Sequence, residues 1–177
     1  IIGETGSGKS RFAHEYASRT PAYCENGFTR IPVIHHTVQA ATTPKMLLQG
    51  LLVSIGDPQQ GKGANNERDL RDRFYRLMQT IQPELLIIDE AQAYVQDCSE
   101  RVLLKRVDVF KDIINTLRMP IVLMGTPWAT RILEASEQLE RRVAYRRVLR
   151  PFGVDTVDAR RNYFHLLGLL AEAHQMD

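Results

Sequence analysis

Short, wholly apolar runs alternate with longer amphipathic stretches along most of the chain. Leu85, Leu86, Ile87 and Ile88 form one such run, and Ile121, Val122, Leu123 and Met124 form another. Continuous apolar runs of this length suit parallel strands buried on both faces. Residues 31–38 (IPVIHHTV) are short and β-branched and read as a further strand. Ile1-Ile2 looks like the end of a buried strand, and residues 145–149 like a last, more polar one. Between these runs the apolar spacing becomes helical. In residues 67–81, Leu70, Phe74, Leu77, Met78 and Ile81 make one stripe, opposite Glu67, Arg68, Asp69, Arg71, Asp72, Arg73 and Arg76. That mixed-charge face is expected to be solvated or turned towards another subunit. Thr43 and Pro44 open a helix to about residue 55, with Thr at the cap and Pro in the first turn. Further helices are expected over 11–19, 102–117 and 127–137 and from Asp155 onward. Residues 21–29 read as a polar connection, and 56–66 (GDPQQGKGANN) as a loop.

Strands alternating with helices predict an α/β domain with a mainly parallel, five-stranded sheet flanked by helices. The core is expected over residues 1–150. Pro151 and Gly153 interrupt the pattern, and residues 151–177 read as the beginning of a small C-terminal helical lid. The chain begins without Met, directly on a glycine-rich motif, and so reads as a fragment whose first strand is cut near its end.

Composition narrows the class. The chain has 177 residues, 44% of them hydrophobic, enough for one domain with a sizeable core. A net charge of +2, from 23 basic and 21 acidic residues, excludes a strongly basic nucleic-acid wrapper but not a local basic patch. Cys24 and Cys98 stand far apart, which argues against a disulfide framework or a zinc knuckle and fits the cytoplasm. No apolar stretch reaches the roughly 18 residues of a membrane span, so no membrane is expected as partner.

Gly3-Glu4-Thr5-Gly6-Ser7-Gly8-Lys9-Ser10 fits GxxxxGK[ST] between a strand end and a helix. Its glycines let the backbone curl so that N–H groups face phosphate oxygens, and the following helix adds its positive end. In that pattern Lys9 reaches the β- and γ-phosphates of ATP, and the Ser10 hydroxyl ligates Mg²⁺. Asp89 ends the LLII run and is placed to hold the Mg²⁺ shell, and Glu90 follows as the candidate general base for an attacking water. A plain strand-end cap is the competing reading of Asp89-Glu90. Thr126, at the tip of the IVLM strand, suits contact with the γ-phosphate or the water; capping the Pro127 helix is the competing reading, and both roles could hold. Arg141 and Arg142 close a helical segment at the domain edge. Either could reach a neighbouring subunit's nucleotide, with Arg142 favoured, or both could simply complement a helix dipole.

At these residues the chain resembles the AAA+ ATPases, with GETGSGKS and LLIIDE as the two nucleotide motifs. More finely it resembles the TniB/TnsC family of transposition regulators, through LLIIDEAQ, KDIINTLRMPIVLMGT and QLERR. The resemblance covers nearly the whole chain. It implies an ATP-dependent DNA-binding protein that assembles as a ring or helical filament on target duplex DNA. It further implies a link between a target-selector protein and the transposase, with ATP hydrolysis controlling assembly. Lys9, Ser10, Asp89, Glu90 and Thr126 carry over directly, and Arg141 and Arg142 compete for the finger. Arg160 and Arg161 are candidates for a lid arginine. The same motifs also occur in ATP-gated interaction switches of secretion or replication-initiator type, which act without a transposition role.

Lys62, Arg101, Lys105 and Arg106 are the candidate DNA contacts, of a sequence-neutral phosphate kind. His35 and His36, adjacent on a strand, point to opposite faces and make a poor metal site. Trp128 is expected to pack between helix and sheet.

Overall fold

The computed structural model describes residues 1–64, 66–150, 153 and 155–174. Its centre is a parallel sheet of three strands, β3 (Val33–Thr37), β4 (Leu85–Asp89) and β5 (Ile121–Leu123), side by side in that order. Val33 pairs with Leu85 and Thr37 with Asp89, while Leu86 pairs with Ile121. Ile2 extends the sheet past β5 through single parallel bridges to Gly125 and to Val148. Five chain segments therefore lie side by side, but only three are strands, fewer than the five expected. The apolar stub is two residues long before Gly3 turns away. Residues 144–149 are exposed and have no buried face to hold a longer ladder.

The first two strands of the chain lie elsewhere. β1 (Tyr23–Glu25) and β2 (Phe28–Arg30) form an antiparallel hairpin across Asn26-Gly27, both at positive φ. The 21–29 connection is thus structured. An Asn-Gly pair is the usual hairpin signal, but nearly every residue of this one is exposed, so no hydrophobic alternation announces it.

The helices follow their sequence signals closely. α1 (Lys9–Ser18) starts after Gly8. α2 (Pro44–Ser54) is capped by Thr43, whose hydroxyl accepts the Met46 N–H at 3.2 Å. α3 (Glu67–Ile81) begins at Asn66, whose side chain accepts the Asp69 N–H at 2.9 Å, and stops at Gln82, with φ 48°. A short α4 (Gln92–Val95) precedes α5 (Glu100–Leu117). The single helix expected over 127–137 is instead a 3₁₀ turn (Pro127–Thr130), α6 (Arg131–Glu134) and α7 (Glu137–Glu140), the last capped by Ser136. α8 (Val157–His174) ends the described chain. No helix among the described residues is long and apolar enough to cross a membrane.

Side chains alternate across the sheet. Leu86 and Ile88 join Leu47, Leu51, Leu70, Phe74, Val107 and Phe110 in the main core, under α2, α3 and α5. Ile87 faces the other way, with Val33, Met124 and Ala13 of α1. Full burial of each Leu or Phe here contributes about 2 kcal/mol. Trp128 does not join either core. It is 60% exposed, with the Arg131 guanidinium 5.7 Å from its ring centre, because the 3₁₀ turn aims it outward.

Candidate functional site

Gly3, Asp89 and Thr126 all lie where the parallel segments reach their C-terminal ends, the edge at which open α/β sheets bind ligands. The glycine-rich loop is built by two different constraints. Gly6 and Gly8 have φ of 81° and 88°, a conformation side chains disfavour. Gly3 is required by proximity: a Cβ there would sit 2.3 Å from the Leu149 carbonyl oxygen. The Gly3 N–H donates to Gly125 at 3.0 Å, which ties the loop to the segment after β5.

Lys9 is 4% exposed. Its Nζ donates to the Gly3 carbonyl at 2.8 Å, the Glu4 carbonyl at 2.9 Å and Ser7 Oγ at 3.2 Å, so the ammonium sits inside the loop's curve. Glu4, Thr5, Gly6 and Ser10 are exposed on the loop's rim. The amide-rich end of α1 adds positive potential there.

Asp89 is fully buried. Its Oδ1 accepts the Glu90 N–H at 2.9 Å, while Oδ2 has no hydrogen-bond partner. His35 Nε2, also buried and without a partner, lies 4.0 Å from that oxygen. Burial lowers the pKa of His35, the Asp89 charge opposes that shift, and His14 adds to it. On the opposite face His36 is held at about 4, chiefly by burial and secondarily by His35. Its Nδ1 lies 2.9 Å from Ser54 Oγ. That hydroxyl donates to the Gly50 carbonyl, so it accepts from the imidazole.

Glu90 turns the chain out of β4 with φ 55°, a left-handed conformation costing about 1 kcal/mol in a non-glycine residue. The Ala91 N–H closes the turn on the Met124 carbonyl at 2.9 Å. Thr126 Oγ1 is buried without a partner and makes no capping bond to the turn that follows. Capping therefore does not account for this hydroxyl. Its backbone N–H donates to Gln92 Oε1 at 3.0 Å, and the same Gln92 amide donates from Nε2 to Glu90 Oε2. Gln92 closes the LLIIDEAQ run, but that run assigns its side chain no contact, because the partner lies beyond a neighbouring strand.

Two partnerless oxygens, Asp89 Oδ2 and Thr126 Oγ1, thus lie at the same sheet edge as the Lys9 loop. Oxygen donors beside a glycine-rich loop that curls around an ammonium have the chemistry for a hard cation such as Mg²⁺, which Ser10 and Asp89 would hold.

The arginines are less gathered. Arg141 pairs with Glu137 one turn earlier. Arg142 is exposed, and its guanidinium makes no ion pair among the described residues. Arg160 and Arg161 are exposed on α8. Of the four cations expected to meet DNA, Arg101 and Lys105 are exposed on α5. Arg106 instead donates to the Tyr94 carbonyl at 2.6 Å and lies over the Tyr94 ring, so it works within the fold. Lys62 is exposed on the 56–66 connection. That connection is pinned by Arg73, which bonds Asp57, Gln59 Oε1 and the Lys62 carbonyl. Arg71 likewise meets Glu67 on its own helix and Asp112 of α5, while Arg68, Asp72 and Arg76 on the same face are exposed.

A family described as Bacterial TniB protein matches residues 1–151. The fold is similar to that of the Aeropyrum pernix ORC2 protein, solved as ADPNP-ADP complexes. The TM-score is 0.68 at 20% identity, over 97% of this chain and 45% of that one. It is also similar to Aeropyrum pernix ORC1 solved in complex with DNA, with a TM-score of 0.50 at 15% identity, over 91% and 40%. The chain spans less than half the length of either protein. No curated protein matches it.

Proposed function

The chain belongs to the TniB family, and on that footing we propose that it is an AAA+ ATPase that loads on duplex DNA and regulates transposition. The observation that carries the ATPase reading is the convergence of Lys9, Asp89 and Thr126 at one sheet edge, two of them with buried oxygens that lack a partner. Gly3 to Ser10 cradle the triphosphate, with Lys9 turning from its loop carbonyls to the β- and γ-phosphates. Ser10 and Asp89 hold Mg²⁺, which when bound neutralises phosphate charge. Glu90 takes a proton from the attacking water. Thr126 offers its hydroxyl to the γ-phosphate or to that water.

The finger is Arg142 in this reading, acting on a neighbouring subunit's nucleotide, with Arg141 as the competitor. Lys62, Arg101 and Lys105 supply phosphate contacts, repeated by each subunit of a ring or helical filament. The transposase and a target-selector protein are the partners, and residues 151–177 begin the lid. The likeness to DNA-bound ORC1 is of fold only, and the DNA reading rests on the exposed Lys62, Arg101 and Lys105.

The test is direct. The protein is mixed with duplex DNA and a slowly hydrolysed ATP analogue and viewed by negative-stain microscopy. Nucleotide-dependent rings or filaments on DNA are expected. Monomers that ignore DNA at low salt would overturn the DNA reading.

A further inference from the structure

Gln92 is 8% exposed and sits at the first position of α4, between two groups of opposite hydrogen-bonding character. The Thr126 N–H can only donate, and the Glu90 carboxylate can only accept. The side-chain amide therefore has one orientation: Oε1 towards Thr126, Nε2 towards Glu90. The space for it is made by Gly125. A Cβ at that position would lie 2.3 Å from Gln92 Oε1, although the glycine has no left-handed backbone of its own to explain it. Glu90 meanwhile carries the strained left-handed turn, so its carboxylate is aimed by something besides ordinary backbone preference.

We propose that Gln92 is a positioning residue that ties the carboxylate of Glu90 to the backbone of Thr126, so that the base and the γ-phosphate contact move as one unit. The inference rests on the ATPase reading above. A single planar amide bridges the end of β4 and the segment after β5. A shift of Thr126 on meeting phosphate is passed through the amide to Glu90 Oε2, without a rotamer change in between. Gly125 is part of the device, since it lets the amide approach.

The discriminating variant is Gln92→Glu. It keeps the shape and the oxygen facing Thr126 but replaces the donor facing Glu90 with an acceptor. ATP turnover by the full chain is measured with Mg²⁺ and duplex DNA, alongside affinity for a fluorescent ATP analogue and the melting temperature. The expected result is a kcat lower by roughly 10- to 100-fold, the loss typical of a misplaced catalytic group, with KM and analogue affinity within about twofold. Gly125→Ala should show the same split. In a Glu90→Gln background, read as the residual single-turnover rate at high enzyme concentration, Gln92→Ala should cost no further rate, because its effect passes through Glu90. Wild-type kcat in both Gln92→Glu and Gly125→Ala would overturn the proposal. So would a loss of affinity equal to the loss of kcat, or a further loss in the Glu90→Gln background. If Glu90→Gln alone turns over ATP normally, the ATPase reading fails at its base, which is a different result from normal turnover in Gln92→Glu alone.

Discussion

The carboxylate of Asp57, 2% exposed, and the guanidinium of Arg73 form an ion pair across sixteen residues of sequence. It closes the 56–66 connection against α3. Burial alone would raise the Asp57 pKa. The Arg73 hydrogen bonds, the Gly61 N–H and the Arg73 charge outweigh it and hold the carboxyl below its usual range. Removing one partner leaves a buried charge uncompensated. Arg73→Ala should cost roughly 3 kcal/mol of stability, read as a lower urea midpoint. Because the folded pKa is depressed, this stabilisation is present above the usual carboxylate pKa and fades as pH falls through the folded value.

Lys9→Ala should remove nucleotide binding. A charged donor to phosphate is worth about 3 kcal/mol, or roughly 100-fold in affinity. Fluorescence titration with a labelled ATP analogue measures it. Near-normal affinity in this variant would mean that the loop does not hold a triphosphate.

Glu90→Gln should keep analogue binding and stop turnover. The amide retains size but cannot take a proton from water. DNA-bound assemblies should then persist in ATP itself, where those of the wild type should come apart. Electron microscopy over a time course separates the two.

The exposed arginines make a paired prediction. Arg142→Ala should lower hydrolysis only under conditions in which subunits assemble, by roughly 10³-fold or more, on the order seen for trans arginines generally. Arg141 is paired with Glu137, so Arg141→Ala should have the smaller effect. The reverse order, in ATPase assays with and without DNA, would exchange their roles.

His36 gives a pH signature. It folds as a neutral ring with a pKa of about 4, against 6.5 unfolded. The unfolded chain therefore binds more protons between these values. Stability should be level above pH 6.5 and fall as pH drops from 6.5 towards 4, by up to about 2 kcal/mol at pH 5. His36→Gln should flatten this slope in urea denaturation at pH 7 and pH 5.

The parts of the fold legible in the sequence were those set by local chemistry. Leu70, Phe74, Met78 and Ile81 repeat at helical spacing, Asn66 caps, and α3 falls on Glu67–Ile81. Thr43 and Pro44 announced α2 in the same way. The glycine-rich loop is local too, since backbone geometry at Gly6 and Gly8 is encoded by the residue itself. What escaped depends on partners distant in the chain. Nothing near Gln92 says that the Thr126 N–H will meet it, and nothing near Arg73 says that Asp57 will. Trp128 is expected in the core and is exposed instead, because a Pro-initiated turn looks the same in sequence whether it goes on as 3₁₀ or α, and the two aim the next side chain differently. Residues 145–149 hold one β-branched residue, Val148, and no buried face, so they make a single bridge to Ile2 and not a strand.

The three bonds of Lys9 to its own loop also bear on selectivity. An ammonium has three donors, and here each already has an acceptor. An incoming anion must displace at least one of them, so its gain is the difference between a phosphate oxygen and the carbonyl or hydroxyl it replaces. A phosphate oxygen is charged where the carbonyl and hydroxyl are not, so the exchange would favour the anion. A triphosphate would gain more than a single phosphate by reaching more of the loop amides and the end of α1. The same three bonds hold the ammonium in place beforehand, so little side-chain freedom would be lost when the anion arrives.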